Sequence, residues 1–149
     1  MIRPATYADR ETVEEIVRDA YSVYLDRMDK PPGPVLDDYA ALISDGAVSV
    51  LDNDNIIRAI IVLLPQLDHL LLDNIAVRPD SQGMGLGRRL IAFAENEARR
   101  LGFTEVRLYT HQTMTENIAL YTRLGFGETG RGRENGYDRV FMTKRLAKT

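Results

Sequence analysis

Residues 82–88 read Gln-Gly-Met-Gly-Leu-Gly-Arg and lie between an apolar run, 70–77, and a long amphipathic stretch. This pattern predicts a strand, a glycine-rich loop and a helix in succession. The first amides of a helix lack intrahelical acceptors and lie at the positive end of its dipole. Glycines at 83, 85 and 87 allow left-handed torsions and a close approach of a ligand. The stretch therefore predicts a ligand that carries a pyrophosphate.

The composition is that of an ordinary globular protein, and 149 residues are most simply one domain over 1–149. No apolar run approaches the ~20 residues that cross a bilayer, and the N-terminus lacks a signal-peptide core, so we expect no membrane partner and a cytoplasmic location. The absence of cysteine excludes a thiol nucleophile and a thiolate metal site. Two histidines are too few to predict a metal site. A net charge of −3 argues against nucleic-acid binding.

The hydrophobic pattern places helices and strands along the whole chain. After an opening strand at 2–4, a helix follows with Val13, Ile16, Val17 and Ala20 on one face, and 30–34 (Lys-Pro-Pro-Gly-Pro) ends it. A second short helix, with Leu36, Tyr39, Leu42 and Ile43 inward, ends near Gly46. The remaining predicted elements are strands at 47–51, 56–64 and 70–77, a helix at 85–101, a strand at 105–109, a helix at 115–124, and a hairpin of 126–131 with 137–145. We expect Leu101 to lie in the core face of its helix. We expect the hairpin to expose the segment Arg131-Gly132-Arg133 to solvent.

Two common phosphate loops do not fit the glycine-rich stretch. A P-loop requires Gly-Lys followed by Ser or Thr, which is absent. A dinucleotide fingerprint requires G-x-G-x-x-G near the first strand, whereas this chain has G-x-G-x-G in its middle and places Arg88 where the last glycine belongs.

A third pattern does fit. The segment Gln82-x-x-Gly85-x-Gly87, preceded by 74–79 (Asn-Ile-Ala-Val-Arg-Pro), resembles the acetyl-CoA loop of the GNAT N-acetyltransferases. The segment 117–126 (Asn-Ile-Ala-Leu-Tyr-Thr-Arg-Leu-Gly-Phe) resembles that family's second cofactor motif, and 2–6 (Ile-Arg-Pro-Ala-Thr) resembles its usual opening.

The resemblance covers the whole chain and extends to a bacterial branch of unassigned substrate. It implies an α/β (α+β) fold: a single GNAT domain with a mixed, mostly antiparallel, twisted sheet of six to seven strands flanked by about four helices. It also implies an acyltransferase that moves an acetyl group from acetyl-CoA to a primary amine by direct attack. A non-catalytic acyl-CoA sensor on the same fold is an alternative.

The resemblance also implies which residues contact coenzyme A. The pantetheine arm would pair with the strand like an added β-strand, and the pyrophosphate would rest on the loop amides. Asn117 would either bond the cofactor or cap its helix. The implied cofactor-binding residues are Ile75, Ala76, Val77, Gln82, Gly83, Met84, Gly85, Leu86, Gly87, Arg88, Asn117 and Tyr121.

Tyr121 matches the family residue whose hydroxyl protonates the leaving thiolate. The general base is open, because both familiar glutamates are missing. Members that modify histone lysines carry one at the position of Leu71, and enzymes that acetylate ribosomal-protein N-termini carry one at the position of Tyr109.

Two other residues are candidates for the base. Asp73 lies two residues after Leu71 on the same strand face, and His111 lies just past a strand end with an ordinary pKa suited to neutral pH. Glu116 and an ordered water chain are further alternatives.

Family analogy places the acceptor between the first two helices and the final hairpin, where Tyr24, Arg27 and Tyr137 are the predicted substrate-binding residues. Tyrosines with an arginine suit a small amine or an amino acid that bears an anionic group. A protein amine is the alternative acceptor, and a homodimer is common in the family.

Overall fold

The computed structural model describes residues 1–28 and 30–147 of the chain. In this described part the α-helices are α1 (Arg10–Tyr21), α2 (Gly33–Leu36), α3 (Tyr39–Ser44), α4 (Leu86–Arg100) and α5 (Thr115–Arg123). The strands are β1 (Ile2–Pro4), β2 (Val48–Asn53), β3 (Ile56–Pro65), β4 (Leu70–Val77), β5 (Glu105–His111), β6 (Gly127–Glu134) and β7 (Tyr137–Arg145). This is the predicted order of elements with one additional single-turn helix, α2, in the proline-rich region.

The chain divides into two compact units. The first comprises Met1–Leu63 and Asp73–Leu90. Its strands follow the order β1, β2, β3 and the end of β4, and the pairs β1–β2 and β2–β3 are antiparallel. Its core contains a solvent-inaccessible run in β3, 59–62, and the face of α1 formed by Val13, Ile16 and Val17. That helix face was predicted, because its spacing is the helical i, i+3, i+4.

The second unit comprises Leu64–Leu72 and Ile91–Thr149. Its strands follow the order β4 (its start), β5, β7 and β6. Strands β4 and β5 are parallel, and Leu70 pairs with Val106 and Leu71 with Arg107. Helix α4 precedes β5 in the chain, as expected because parallel strands require a crossover connection. The predicted mixed, mostly antiparallel arrangement of six to seven strands is confirmed.

Four local predictions are wrong. Leu36 was expected inward but is 64% exposed, because the short helix predicted there is broken into α2 and α3. Leu101 is 41% exposed, since α4 ends one residue before it and Gly102, at φ 84°, turns the chain away. The predicted strand boundary at 131 is wrong, because β6 continues to Glu134 and the left-handed pair Asn135-Gly136 forms the turn, while residues 131–133 are exposed as predicted. His111 is the last residue of β5 rather than the first beyond it.

An ionic cluster joins β1 to the residues around it in the first unit. The Arg3 guanidinium donates to Asp9 at 2.8 Å and to Asp52 at 3.2 Å. The bond to Arg3 is the main reason why the pKa of Asp9 falls to about 2, with further bonds from Thr6. Among the residues that the structure describes, no helix is long and apolar enough to cross a membrane.

Candidate functional site

The glycine-rich loop lies in the first unit between β4 and α4. A turn at Pro79–Ser81 follows β4, and α4 begins at Leu86. Gly83 and Gly85 have φ values of 82° and 76°, as predicted for a loop that uses left-handed torsions. A methyl group added at either glycine would meet nothing within 4 Å, so the loop borders open space.

Gly87 differs from the prediction, because it is the second residue of α4 and its torsions are helical. The amide of Arg89 donates to the carbonyl of Gly85 at 3.2 Å, in the hydrogen-bond pattern of a helix. The amides of residues 86–88 belong to the first turn and have no acceptor within the helix. Arg88 is exposed beside them. The helix dipole, the exposed cation and the open space together fit an anionic group such as a pyrophosphate.

Strand β3 anchors the turn that leads into this loop. The amide of Arg78 donates to the carbonyl of Arg58 at 2.9 Å, and the Arg58 guanidinium reaches the Ser81 hydroxyl at 3.4 Å. Ser81 is fully buried and in turn donates to Asp80 at 3.1 Å. These contacts hold the start of the loop on the sheet.

A buried polar network surrounds Asn74, which is 2% exposed in the middle of β4. The Tyr21 hydroxyl donates to Asn74 Oδ1 at 2.7 Å and lies 3.3 Å from the Ile75 carbonyl oxygen. Asn74 Nδ2 donates to the Tyr39 hydroxyl at 2.9 Å, and that hydroxyl donates to the Pro34 carbonyl at 2.5 Å. The network therefore ties β4 to α1 and to the proline-rich segment.

Two carboxyl groups lie beside this network. Asp73 in β4 forms a side-chain hydrogen bond with Asp37, which follows α2. Although Asp37 reaches the surface, partial burial raises its pKa, and the bond to Asp73 offsets part of that rise. Two carboxyl groups can share such a bond only when one holds a proton, so the pair titrates as a unit. Burial, followed by the charges of Asp37 and Asp73, raises the pKa of Tyr39, which stays protonated as a donor.

The predicted acceptor residues of the first unit lie together. The ring of Tyr24, 6% exposed, is 6.2 Å from that of Tyr21, and the Arg27 guanidinium lies 5.2 Å from the Tyr24 ring centroid. The structure therefore brings Tyr24 and Arg27 next to the tyrosine that contacts Asn74.

The second unit brings His111 and Tyr137 together. Their rings meet edge to face with centroids 6.2 Å apart. His111 Nδ1 lies 2.8 Å from the Thr113 hydroxyl and accepts the Thr113 amide at 3.2 Å. Arg139, the cross-strand partner of His111, stacks its guanidinium 4.1 Å from the Tyr109 ring centroid.

Helix α5 carries the other two predicted residues of the second unit. Tyr121 is 5% exposed and packs edge to face on Phe126, with centroids 5.8 Å apart. Asn117 is the third residue of α5, and Met114 occupies the capping position. The capping alternative for Asn117 is therefore wrong, because its side chain lies inside the first turn and its amide contacts Met114 Sδ at 3.8 Å.

Sequence reasoning did not predict the roles of Asn74, Tyr39 and Asp37. A polar amide within the mostly apolar strand 70–77 was a usable signal for Asn74, because a buried amide requires partners. No pattern in the sequence predicted the contact between Asp37 and Asp73, because that contact depends on how the chain folds after the prolines. In residues 1–28 and 30–147, no group of three or more acidic or histidine side chains could hold a metal ion.

A model of the acetyltransferase (GNAT) family matches residues 10–126. The [ribosomal protein bS18]-alanine N-acetyltransferase of Escherichia coli K12 is 42% identical over 62 residues, which are 42% of this chain and 42% of that protein. The chain spans about half or less of the length of the curated relatives that it matches.

Solved structures share the fold. The crystal structure of the ribosomal-protein-S18-alanine N-acetyltransferase from Escherichia coli has a TM-score of 0.77 and 24% identity, covering 100% of this chain and 95% of that one. The PaiA N-acetyltransferase from Thermoplasma acidophilum, in complex with coenzyme A, has a TM-score of 0.76 and 19% identity, covering 98% of each chain.

Proposed function

Because the chain belongs to the GNAT acetyltransferase family, we propose that it transfers the acetyl group of acetyl-CoA to a primary amine by direct attack of that amine. When bound, acetyl-CoA supplies an acetyl group activated as a thioester. The observation that carries the proposal is the loop of residues 82–88, where left-handed glycines, open space and the first amides of α4 coincide. The chain has no cysteine to hold an acyl group, in agreement with a transfer that forms no covalent enzyme intermediate.

The main chain of this region supplies most of the proposed coenzyme contacts. The amides of residues 86–88 and the Arg88 guanidinium receive the pyrophosphate, and charge-assisted bonds of this kind contribute about 1.5–3 kcal/mol each. The end of β4, at Ile75 and Val77, receives the pantetheine arm as an added strand. The Ile75 carbonyl already lies near the Tyr21 hydroxyl, but a carbonyl oxygen has two lone pairs and accepts a second donor.

Substituting Gly85→Ala tests the loop. Alanine at φ 76° is strained but meets no neighbouring atom, so we expect loss of about 1 kcal/mol of stability and a shift of the loop amides. We expect calorimetry to show a Kd for coenzyme A raised by ~10-fold, the equivalent of one weakened charge-assisted bond. Gly102→Ala is the matched control, because Gly102 has the same kind of torsion and open space at the other end of α4. Equal affinity in both variants and the wild type contradicts the proposal.

Tyr121 is the proposed general acid, whose hydroxyl protonates the leaving thiolate. Its position in the family's second cofactor motif supports this role. Its ring is buried and packs against Phe126, which restricts the movement of the ring.

Substituting Tyr121→Phe separates the hydroxyl from the ring. Phenylalanine keeps the contact with Phe126, so the fold and the Kd for coenzyme A should change little. We expect kcat to fall by about 100-fold, the usual scale of a lost general acid. Tyr7→Phe is the control, since Tyr7 is 71% exposed. An unchanged kcat in steady-state assays removes Tyr121 from the acid role.

The pair Asp37–Asp73 is the proposed acceptor of the proton from the amine, with Asp73 as the base. Partial burial raises the pKa of Asp37 by more than its bond to Asp73 lowers it, which makes the pair a better base near neutral pH than an isolated aspartate. His111 is the second candidate. The lone pair of its neutral ring lies on Nδ1 and already accepts the Thr113 amide, which makes His111 a weaker base than the carboxyl pair.

The pH profile of kcat/KM distinguishes the two candidates. A carboxylate base works only when deprotonated, and burial raises the pKa of Asp37, the partner of Asp73. Activity should therefore fall as the pH decreases, and the fall should begin above the ordinary aspartate pKa of ~3.9. Asp73→Asn should abolish this acid limb and lower kcat/KM by about 100-fold or more. Asp38→Asn is the control, because asparagine preserves the α3 cap that Asp38 provides. A limb that survives in Asp73→Asn and disappears in His111→Gln reverses the assignment.

A small amine or an amino acid is the proposed acceptor, and Tyr24, Arg27 and Tyr137 are the proposed contacts. The tyrosines supply flat apolar surface with a polar end, and the arginine supplies a cation. A protein N-terminal amine is the second candidate, favoured by the 62-residue similarity to the bS18-alanine enzyme.

A further inference from the structure

The β5–β7 ladder has two different faces. One face is buried, and the other carries aromatic and basic side chains that are only partly buried. We call it the aromatic–basic face, and it consists of Tyr109 and His111 from β5 with Tyr137, Arg139 and Phe141 from β7. The residues that alternate with them, Leu108, Thr110, Val140 and Met142, are buried. The five members of the face are only partly buried, so this side of the ladder reaches solvent.

Strand β6 leaves this face uncovered where it pairs with β7. Gly130 lies opposite Phe141, and Gly132 lies opposite Arg139. A methyl group built on Gly132 would lie 3.7 Å from the Phe141 ring, which shows that this position points to the same face. The side chains of cross-strand neighbours normally contact each other, and glycine has no side chain to make such a contact. Two glycines at these positions leave room beside the arginine.

Arg139 presents a guanidinium in a fixed plane. Stacking on Tyr109 fixes the plane, and one of its N–H groups donates to Glu134 at 2.7 Å. A guanidinium has five such donors. The Arg139 side chain is 15% exposed and that of Glu134 is 52% exposed, so this pair shows that a carboxylate can meet the guanidinium from the solvent side.

His111 adds a second donor to the same face. A main-chain amide can only donate, so the contact from the Thr113 amide requires a lone pair on His111 Nδ1. The neutral ring then carries its proton on Nε2. His111 and Arg139 are cross-strand partners, and their side chains project from the same side of the ladder.

We propose, on the premise of the function above, that the aromatic–basic face binds the acceptor and that Arg139 and the Nε2–H of His111 hold a carboxylate of that acceptor. The acceptor class is therefore an amino acid or another amine that carries a carboxylate. Arg139 and His111 determine specificity in this arrangement, and the aromatic rings contact the rest of the molecule. The pairing of a planar guanidinium with a carboxylate allows two parallel hydrogen bonds, which an uncharged amide cannot reproduce.

The test compares carboxylates with their amides. The twenty common amino acids and their carboxamides are assayed as acceptors with the full chain and acetyl-CoA, together with a peptide that begins with alanine. We expect the best acceptor to have a kcat/KM about 10- to 100-fold above that of its carboxamide. Arg139→Gln should bring this ratio close to one by raising KM and leave the Kd for coenzyme A unchanged.

Arg133→Gln is the matched control. Arg133 lies in the same hairpin and pairs with Asp138 at 3.2 Å, outside the aromatic–basic face, so its loss should leave the ratio intact. Equal use of acids and carboxamides, transfer only to the peptide, no transfer to any amino acid, or an unchanged ratio in Arg139→Gln overturns the inference. The proposed function stands or falls separately, on binding of coenzyme A and on transfer to any amine.

A second readout does not depend on turnover. The ¹⁵N spectrum of the imidazole should show an unprotonated Nδ1 and a protonated Nε2 for His111, and the Nε2 signal should move when the best carboxylate acceptor is added. Thr113→Ser, which retains the hydroxyl and the amide, should preserve this tautomer. A proton on Nδ1, or an Nε2 signal that the acceptor does not move, contradicts the assignment.

Discussion

Unsatisfied hydrogen bonding at the start of α4 is the constraint on which the proposed chemistry depends. A helix always begins with amides that lack intrahelical acceptors, and most proteins satisfy them with a capping side chain. In this chain, Gly85 precedes the helix at a left-handed torsion and contributes no side chain. An anion can therefore approach main-chain N–H groups directly, and Arg88 adds an exposed positive charge beside them.

The loop is useful only if its position is fixed, and polar contacts in the first unit fix it after the end of β4 and in the middle of that strand. Arg58 and the buried Ser81 hold the turn that leads into the loop. In the middle of the strand, Asn74 is hydrogen-bonded to two tyrosines. A buried amide that lost these partners would cost about 1–3 kcal/mol, so the network resists rearrangement. The same tyrosines bring the proline-rich segment and the carboxyl of Asp73 into one region of the first unit.

The sequence predicted regular elements better than it predicted contacts between distant residues. Periodicity identified the α1 face at Val13 and Ile16, and the glycine pattern identified the loop, because both signals are local. Leu36 was placed wrongly because the single helix predicted there is broken into α2 and α3, and residue spacing does not show such a break. The same limit explains why Asp37 was missed: its contact with Asp73 joins residues far apart in the chain. Gly87 was assigned a turn torsion although it lies in α4.

An amide-resolved NMR titration with coenzyme A would show whether the main-chain amides at the start of α4 bind the pyrophosphate. An N–H group that donates to a phosphate shifts strongly on binding. We expect the largest shifts to fall on residues 83–88. Saturable binding whose largest shifts fall on other amides, or no binding at millimolar coenzyme A, would contradict it.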